Sequence, residues 1–578
     1  MADLKNILTH FLLAGTVLGV KPLGNGLIND TYKVETEEAT TPDYVLQRIN
    51  HNIFQNVDML QDNIEKVTGH LRTKLEKAGA DDIDRKVLKF IPTSDGKTYF
   101  YDGSDFWRVS VFIPNAKTYE AVTPEYSYYA GQAFGKFQAD LADIPVQLGE
   151  TIPDFHNMEF RLQQLREAVA QDAVGRVAEV QPLLDELESR AEEMCKAERL
   201  YREGKLPKRV CHCDTKVNNM MFDEDGSVLC VIDLDTVMPS FVFSDYGDFL
   251  RTAANTGAED DKDLDNVNFN MDIFRSFTKG YLESAQSFLQ PIEIENLPYA
   301  AALFPYMQTV RFLADYINGD TYYKIQYPEH NLVRSKAQFK LLQSVEEHTP
   351  EMKDYINACM APKKEMTVKH IELPDMELSA IPAYLDSLGI ELTTVDNVNW
   401  ERFPYKPEAQ FRIVTTRKGL LIHYHATENT VAAVADGDNG KVWEDSCMEF
   451  FCIPANDSVY YNLESNCAGT ILLGAGKLRS NRLQAPLDVL EKVERWSSLG
   501  REAFKEKKGP VTWDMVLSIP YSTFFLHEID TLEGKTIRGN FYKCGDKLET
   551  PHYLSWNPIN LPKPNFHCPD FFGVLHFE

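Results

Sequence analysis

The chain has 578 residues, too many for one hydrophobic core and enough for three or four folding units of roughly 150 residues each. Its 43% hydrophobic and 25% charged content is that of an ordinary globular protein, and 87 acidic against 59 basic residues give a net charge of -28. That sign repels phosphate backbones and anionic lipid, so neither nucleic acid nor membrane is an expected partner, and a bound nucleotide needs local groups and a metal ion.

The longest early apolar run, Phe11 to Val20, is too short to span a bilayer and lacks the positive start of a signal peptide. The ten cysteines contain no CxxC pair, which predicts reduced thiols and a cytoplasmic location. Residues 1–115 read as mixed: strands at Val45–Arg48, Lys86–Ile91 and Phe106–Ile113, and a helix at Asn56–Ala78. Long helical patterns follow. Met158, Leu162, Leu165 and Val169 form one apolar stripe, and similar patterns cover about 180–203, 271–290, 298–317 and 335–358. Past the expected linker Ala361-Pro362-Lys363-Lys364, short strands alternate with turns, among them Phe411–Thr415, Leu420–Ala426, Cys447–Ile453, Val459–Asn466, Val511–Ile519, Ile537–Cys544 and Phe571–Phe577. The expected fold is α+β over 1–362 followed by an all-β sandwich over 363–578.

The most informative stretch runs from Arg209 to Arg251. His212-x-Asp214-x-x-x-x-Asn219 has the spacing of a kinase catalytic loop, and Asp233 follows the apolar strand Val228–Ile232. Phosphoryl transfer needs a carboxylate to orient the attacking hydroxyl and take its proton. It also needs hard oxygen ligands for Mg²⁺ against the phosphates of ATP. Asp214 is the expected base, and Asn219 and Asp233 the expected metal ligands. Lys216 is placed to neutralise phosphate oxygens, and His212 to orient the loop. Asp235 reads either as an outer metal residue or as a loop cap, and Asp245 and Asp248 as caps or loop-ordering residues. Upstream, Gly24 and Gly26 suggest a turn that lets backbone approach phosphate. The following strand aims either Arg48 or Gln47 at the nucleotide, depending on register; Glu65 is a candidate to orient the basic residue.

The segments GNGLINDTYKV, YVLQRINHNIF, HCDTKVNNMMFD, VIDLDTVMP and VRFLADYINGDTYYKI resemble the N-acetylhexosamine 1-kinases of the aminoglycoside phosphotransferase-like superfamily, over roughly residues 10–360. The resemblance implies a bilobal, protein-kinase-like domain with a small lobe over about 1–115 and a large lobe over about 116–362. It also implies ATP-dependent phosphorylation of the anomeric hydroxyl of N-acetylglucosamine or N-acetylgalactosamine. Cys213 departs from the family's usual H-N-D. The resemblance implies a sugar site of Asp214, Lys216, Arg311 and Tyr322; a planar guanidinium at Arg311 suits adjacent sugar oxygens, unless it pairs with Asp315.

Residues from about 365 to 578 resemble a family 9-like carbohydrate-binding module, on the motifs WEDSCMEFFCIP, YYNLESNCAGTILLG and WNPI…DFFGVLHFE. This implies a sugar clasp of Trp443 and Glu449 with Trp556 as the opposite wall, or a core role for each ring. His423 and His425 alternate on one strand face without an evident third metal ligand. The expected protein is a Mg-ATP-dependent hexosamine kinase with a sugar-recognising module. The alternatives are a kinase for another alcohol, such as a different hexose, a choline-like compound or an aminoglycoside, and a non-catalytic carbohydrate-binding protein.

Overall fold

The computed structural model describes residues 4–23, 29–120, 122–224, 226–435, 437–455, 457–477, 479–480, 482–561 and 563–578. The chain divides into two compact units, Met1–Lys353 and Asp354–Glu578. Among the described residues no helix is long and apolar enough to cross a membrane.

The first unit begins with an antiparallel sheet of β1 (Val17–Pro22), β2 (Asp30–Thr36), β3 (Tyr44–Ile49), β4 (Phe100–Tyr101) and β5 (Phe106–Val111), ordered β1-β2-β3-β5-β4. The two-residue period of β3 and β5 sorts their side chains onto two faces. Tyr44, Leu46, Trp107 and Val109 bury one face with Ile7 and Leu8 of the N-terminal helix. Gln47, Ile49 and Arg108 face the helix Val57–Lys77, whose start is capped by Asn56 accepting from Met59 N. That helix buries Leu60, Ile64 and Val67 together with Ile49 from the sheet and Phe137, Leu234 and Val237 from the rest of the unit.

The expected strand at 86–91 is a correction. The chain forms a short helix, Ile83–Lys86, and then a single bridge between Phe90 and Ser110. Ile91 N reaches Val109 O at 2.8 Å, but the next residue is Pro92, which has no N–H to continue the ladder.

The remainder of the unit is mainly helical, with helices at Pro124–Leu141, Met158–Gln171, Val177–Met194, Phe243–Ala253, Met271–Ala285 and Leu297–Ile317. Pro124–Leu141 and Met271–Ala285 meet backbone to backbone. A Cβ on Gly131 would lie 2.1 Å from Phe277 O, and one on Gly280 2.1 Å from Tyr128 O. Four short strands lie among these helices. β6 (Arg209–Cys211) pairs with β9 (Met238–Ser240), and β7 (Met220–Phe222) with β8 (Val228–Val231). The 213–219 loop joins β6 to β7, and Asp233 follows β8.

The second unit holds two sheets. One contains Glu408–Thr416, Gly419–Ala433 and Phe504–Pro520; the other contains Cys447–Ile453, Tyr460–Asn466, Ile471–Gly476, Thr536–Cys544 and Gly573–Phe577. Alternating residues from both, including Phe411, Ile413, Ile422, Phe450, Leu463 and Phe541, form one buried cluster. Phe411 stacks on Phe541 with ring centroids 3.5 Å apart, so the two sheets face each other across this core.

Candidate active site

The loop after β6 takes its shape from a buried carboxylate. Asp245, in the first turn of Phe243–Ala253, accepts from His212 N (3.0 Å), Cys213 N (2.8 Å) and Gln138 Nε2 (2.7 Å). Its carbonyl accepts from Thr215 Oγ1 at 2.8 Å. These bonds hold Cys213 at φ 62°, in the left-handed region where Asn is at ease and most residues are not. The usual Asn of the H-N-D pattern fits this geometry; here the Asp245 anchors impose it on a cysteine. Burial raises the pKa of Asp245, opposed by His212 and the bonds it accepts. The His212 ring is buried and its Nε2 meets Ile232 O at 2.8 Å, which ties the loop to the end of β8.

The expected catalytic and metal residues lie together. Asn219 Nδ2 donates to Asp214 O (2.8 Å) and approaches Asp214 Oδ2 (3.4 Å). Ile232 N donates to Asn219 O at 2.9 Å, so Asp233, the next residue, sits beside Asn219. Lys216 Nζ lies 2.6 Å from Asp214 Oδ1. Asp233 is left-handed too, at φ 59°. Its side chain is open to solvent but walled closely by protein. That desolvation, then the charges of Asp235 and Asp214, push its pKa up to about 6. Asp248 is pushed to about 6 by burial, despite Arg251 beside it. An oxygen-rich site with mutually repelling carboxylates fits a hard divalent cation. Asn219 spends its amide nitrogen on Asp214, which turns Oδ1 away as a neutral oxygen donor next to Asp233. A Mg²⁺ ion held by Asn219 Oδ1 and the Asp233 carboxylate suits this donor set.

A buried network missing from the sequence reading links this site to the sheet. Asp235 is fully enclosed and accepts from Arg108 Nη1 (2.5 Å) and Asn29 Nδ2 (2.7 Å). Arg108 also donates to Gln47 Oε1 (2.9 Å) and Gln61 Oε1 (3.2 Å). Arg48 thus lies on the other face of β3: it bridges Asp30 and Asp105, the latter at 3.0 Å, in an exposed position. The register sets Gln47 inward, and the buried cation of the small lobe is Arg108. Glu65 accepts from Thr98 Oγ1 at 2.5 Å and, among the described residues, forms no ion pair with a basic side chain. Gly24 and Gly26 lie outside the described residues. Arg108 was detectable only as the single charge on the strand Phe106–Val111.

Arg311 donates to Gln308 Oε1 at 3.3 Å and lies 5.7 Å from the ring centroids of Phe155 and Tyr323. It does not pair with Asp315, whose carboxylate accepts from Thr321 N, Tyr322 N and Tyr323 N at 2.9, 2.8 and 2.9 Å. Asp315 therefore folds the segment after Leu297–Ile317 back towards the Arg311 helix. The Tyr322 ring is 75% exposed, and it is Tyr323 that packs inward, beside Phe312.

In the second unit Glu449 is buried and its pKa is pushed well up by burial and by Glu464, which lies directly across the strand pair. Cys544 Sγ donates to Glu449 Oε1 at 3.0 Å. Arg482 spans Asn462 Oδ1 (2.9 Å) and the face of Tyr460 (3.8 Å), next to Glu464. Trp443 is half-buried and packs against the apolar cluster that contains Cys447 and Cys544. Trp556 is not an opposite wall. It is 3% exposed in the core between the sheets, edge-on to Phe411, and its ring fills the space a Gly573 side chain would need. His423 and His425 both bond one oxygen of Asp514, at 2.9 and 2.8 Å, and Arg412 occupies the other nitrogen of His423.

Asp214, Asn219 and Asp233 gathered in a mainly helical unit that opens on a small sheet form the arrangement expected of a kinase-type phosphotransferase, here followed by a β-domain. Residues 19–275 match the phosphotransferase enzyme family and residues 379–577 match carbohydrate-binding family 9. The chain joins a phosphotransferase-family domain to a carbohydrate-binding family 9 domain. A Bacteroides uniformis protein named for carbohydrate binding is 51% identical over 38% of this chain and 100% of its own, with TM-score 0.37. An aminoglycoside phosphotransferase of Alicyclobacillus acidocaldarius is 15% identical over 61% of this chain and 98% of its own, with TM-score 0.42. A family 9 module of Caldicellulosiruptor kristjanssonii in complex with glucose is 11% identical over 37% and 96%, with TM-score 0.24.

Proposed function

We propose that the chain phosphorylates the anomeric hydroxyl of an N-acetylhexosamine with ATP, giving the sugar 1-phosphate. The kinase domain spans 1–362 and the sugar-binding module 363–578. The observation that carries the phosphotransfer reading is the convergence of Asp214, Asn219 and Asp233, fixed by the bonds Asn219 Nδ2 to Asp214 O and Ile232 N to Asn219 O. The sugar and its anomeric position rest on the likeness to the N-acetylhexosamine 1-kinases.

Asp214 accepts the sugar hydroxyl proton and orients its oxygen in line with the terminal phosphate. Lys216, 2.6 Å from Asp214, steadies that carboxylate and lies where it can turn to the transferring oxygens. Asn219 and Asp233 are the ligands for Mg²⁺, which neutralises phosphate charge when bound. Asp235 and Arg108 act at one remove, locking the Asp233 loop to the sheet that covers the nucleotide. In the second unit Trp443 stacks on an apolar sugar face and Glu449 takes its hydroxyls.

The test is product analysis. The full chain is incubated with Mg-ATP and a panel of hexosamines, hexoses, choline-like amines and aminoglycosides. An acid-labile sugar phosphate from a hexosamine is expected. An acid-stable phosphoester would move the acceptor group to another alcohol, and no transfer to any acceptor would remove the kinase reading.

A further inference from the structure

Basic side chains are the minority here, and in the first unit most arginines are neutralised. Arg48, Arg85, Arg108, Arg166, Arg176 and Arg190 each hold a carboxylate at 3.0 Å or less. Arg161 and Arg311 differ. Arg161 spends Nε and Nη2 on the carbonyl of Phe155 (3.3 and 3.0 Å) and Nη1 on Gln164 Oε1 (2.9 Å). Arg311 lies over the ring of that same Phe155. Among the described residues neither guanidinium has a carboxylate within ion-pair distance. The acids close to them in sequence are committed elsewhere: Asp315 to backbone amides and Asn331, and Asp154 to Asn157 Nδ2 at 2.7 Å.

Two further observations point to a ligand. His156 stacks on Phe155 and its Nδ1 is buried with no partner among the described residues. Burial and the charges of Arg311, Arg161 and Arg251 keep that ring neutral. Phe155 also packs against the cluster containing Cys213, the residue before Asp214, so the arginine pair borders the catalytic loop. Two like charges beside one aromatic residue, without a counter-ion, are unfavourable alone; burial and Arg311 lower the Arg161 pKa to about 10. A bound anion removes that penalty, and a guanidinium pair matches the oxygens of a carboxylate or sulfate.

We propose that Arg161 and Arg311 form an anion subsite beside Asp214, and that the acceptor is an N-acetylhexosamine carrying a sulfate ester or a carboxylate. This rests on the kinase reading above and narrows its substrate class. Arg161 and His156 become specificity residues, and the anion anchors the sugar with its anomeric hydroxyl at Asp214.

The full chain is assayed with Mg-ATP and N-acetylglucosamine, N-acetylgalactosamine, their O-sulfated forms and the corresponding uronic acids; the charged arms separate sulfate from carboxylate. The expected kcat/KM for at least one charged acceptor is about tenfold or more above its neutral parent, the size of one charge-assisted contact. Arg161→Gln and Arg311→Gln bring that ratio towards one, and Arg161→Lys restores part of it. Inorganic sulfate competes with the acceptor and not with ATP. Neutral acceptors used as well as every charged one would overturn the anion subsite and leave the kinase reading standing. Sulfate competing with ATP instead would also overturn it, assigning the pair to the nucleotide. No transfer to any acceptor, neutral or charged, would remove the kinase reading itself. Sulfate competition in the wild-type chain decides the matter even if the glutamine variants fail to fold.

Discussion

Asp214 is held from three sides: its carbonyl by Asn219, its carboxylate by Lys216, and its loop by Asp245. Asp214→Asn keeps the shape and the bond from Asn219 but removes the proton acceptor. Turnover should fall by about 10²–10⁴-fold, the usual contribution of a general base, while Mg-ATP affinity changes little. Steady-state kinetics beside nucleotide titration separate the two, and unchanged turnover would mean a different base. Asp233 carries a pH signature. Its folded pKa of about 6 lies above the ordinary value near 4, so the folded state holds a proton that the unfolded chain has released between those pH values. Stability from this group is therefore full below about pH 4 and is lost as pH rises through about 6. Asp248 acts in the same direction. In EDTA, Asp233→Asn should flatten the loss of stability between about pH 4 and 7, read as urea midpoints. Mg²⁺ should stabilise the wild type above about pH 6 and much less at pH 5, because the metal takes the deprotonated carboxylate. An identical pH slope in wild type and variant would reject the assignment. The spacing of Asp214, Asn219 and Asp233 was legible in the sequence because one short stretch supplies all three. Arg108 was not, because its partner Asp235 is far along the chain and only the register of β3 and β5 sets Gln47 opposite Arg108, on the face met by Gln61 of the helix Val57–Lys77.

Helix positions were legible because an apolar stripe with a capping residue repeats within one segment: Asn157 caps Met158–Gln171 by accepting from Phe160 N, just ahead of the Met158–Leu162–Leu165 stripe. Which helices touch was not legible, since it depends on small residues whose role appears only at the crossing. Gly131 and Gly135 on one helix and Gly280 on the other let Pro124–Leu141 lie against Met271–Ala285. The same helix presents Gln138, which binds Asp245 and is itself held by Tyr281 OH at 2.6 Å. The crossing thus sets the floor of the catalytic loop. Gly280→Ala places a methyl against Tyr128 O and should cost about 1–3 kcal/mol, the usual penalty for overpacking. Because the strain lies beneath Gln138, kcat should fall along with the denaturation midpoint. Gly69→Ala, in mid-helix where an added Cβ meets nothing within 4 Å, is the control: it should raise the midpoint by up to about 1 kcal/mol of helix propensity and leave kcat unchanged. Equal midpoints for the two variants would show that the crossing has slack.

Each unit of the molecule owns its core. Leu60, Ile64, Phe137 and Leu234 pack together in the first, and Phe411, Phe450 and Phe541 in the second. Separate cores of this kind unfold as separate cooperative units. Calorimetry of the full chain should resolve two transitions, and ligands should move them selectively, because a ligand stabilises only the unit that binds it, by RT ln(1 + [L]/Kd). Mg-ATP at about a hundredfold over its Kd adds roughly 2.7 kcal/mol and should raise the transition of the first unit alone. A sugar held by the second unit, screened across the same panel of hexosamines and hexoses, should raise the other, and Trp443→Ala should abolish that shift while leaving the Mg-ATP shift intact. Trp556→Ala differs in kind. It opens a cavity between the sheets, so it should lower the second transition by about 3–5 kcal/mol with or without sugar. The two tryptophans resemble each other in sequence, each beside an acidic or amide residue on a β-rich background, and only burial tells them apart. If Trp443→Ala instead lowers the transition without touching the sugar shift, its ring is core too, and the second unit must hold its sugar by other groups.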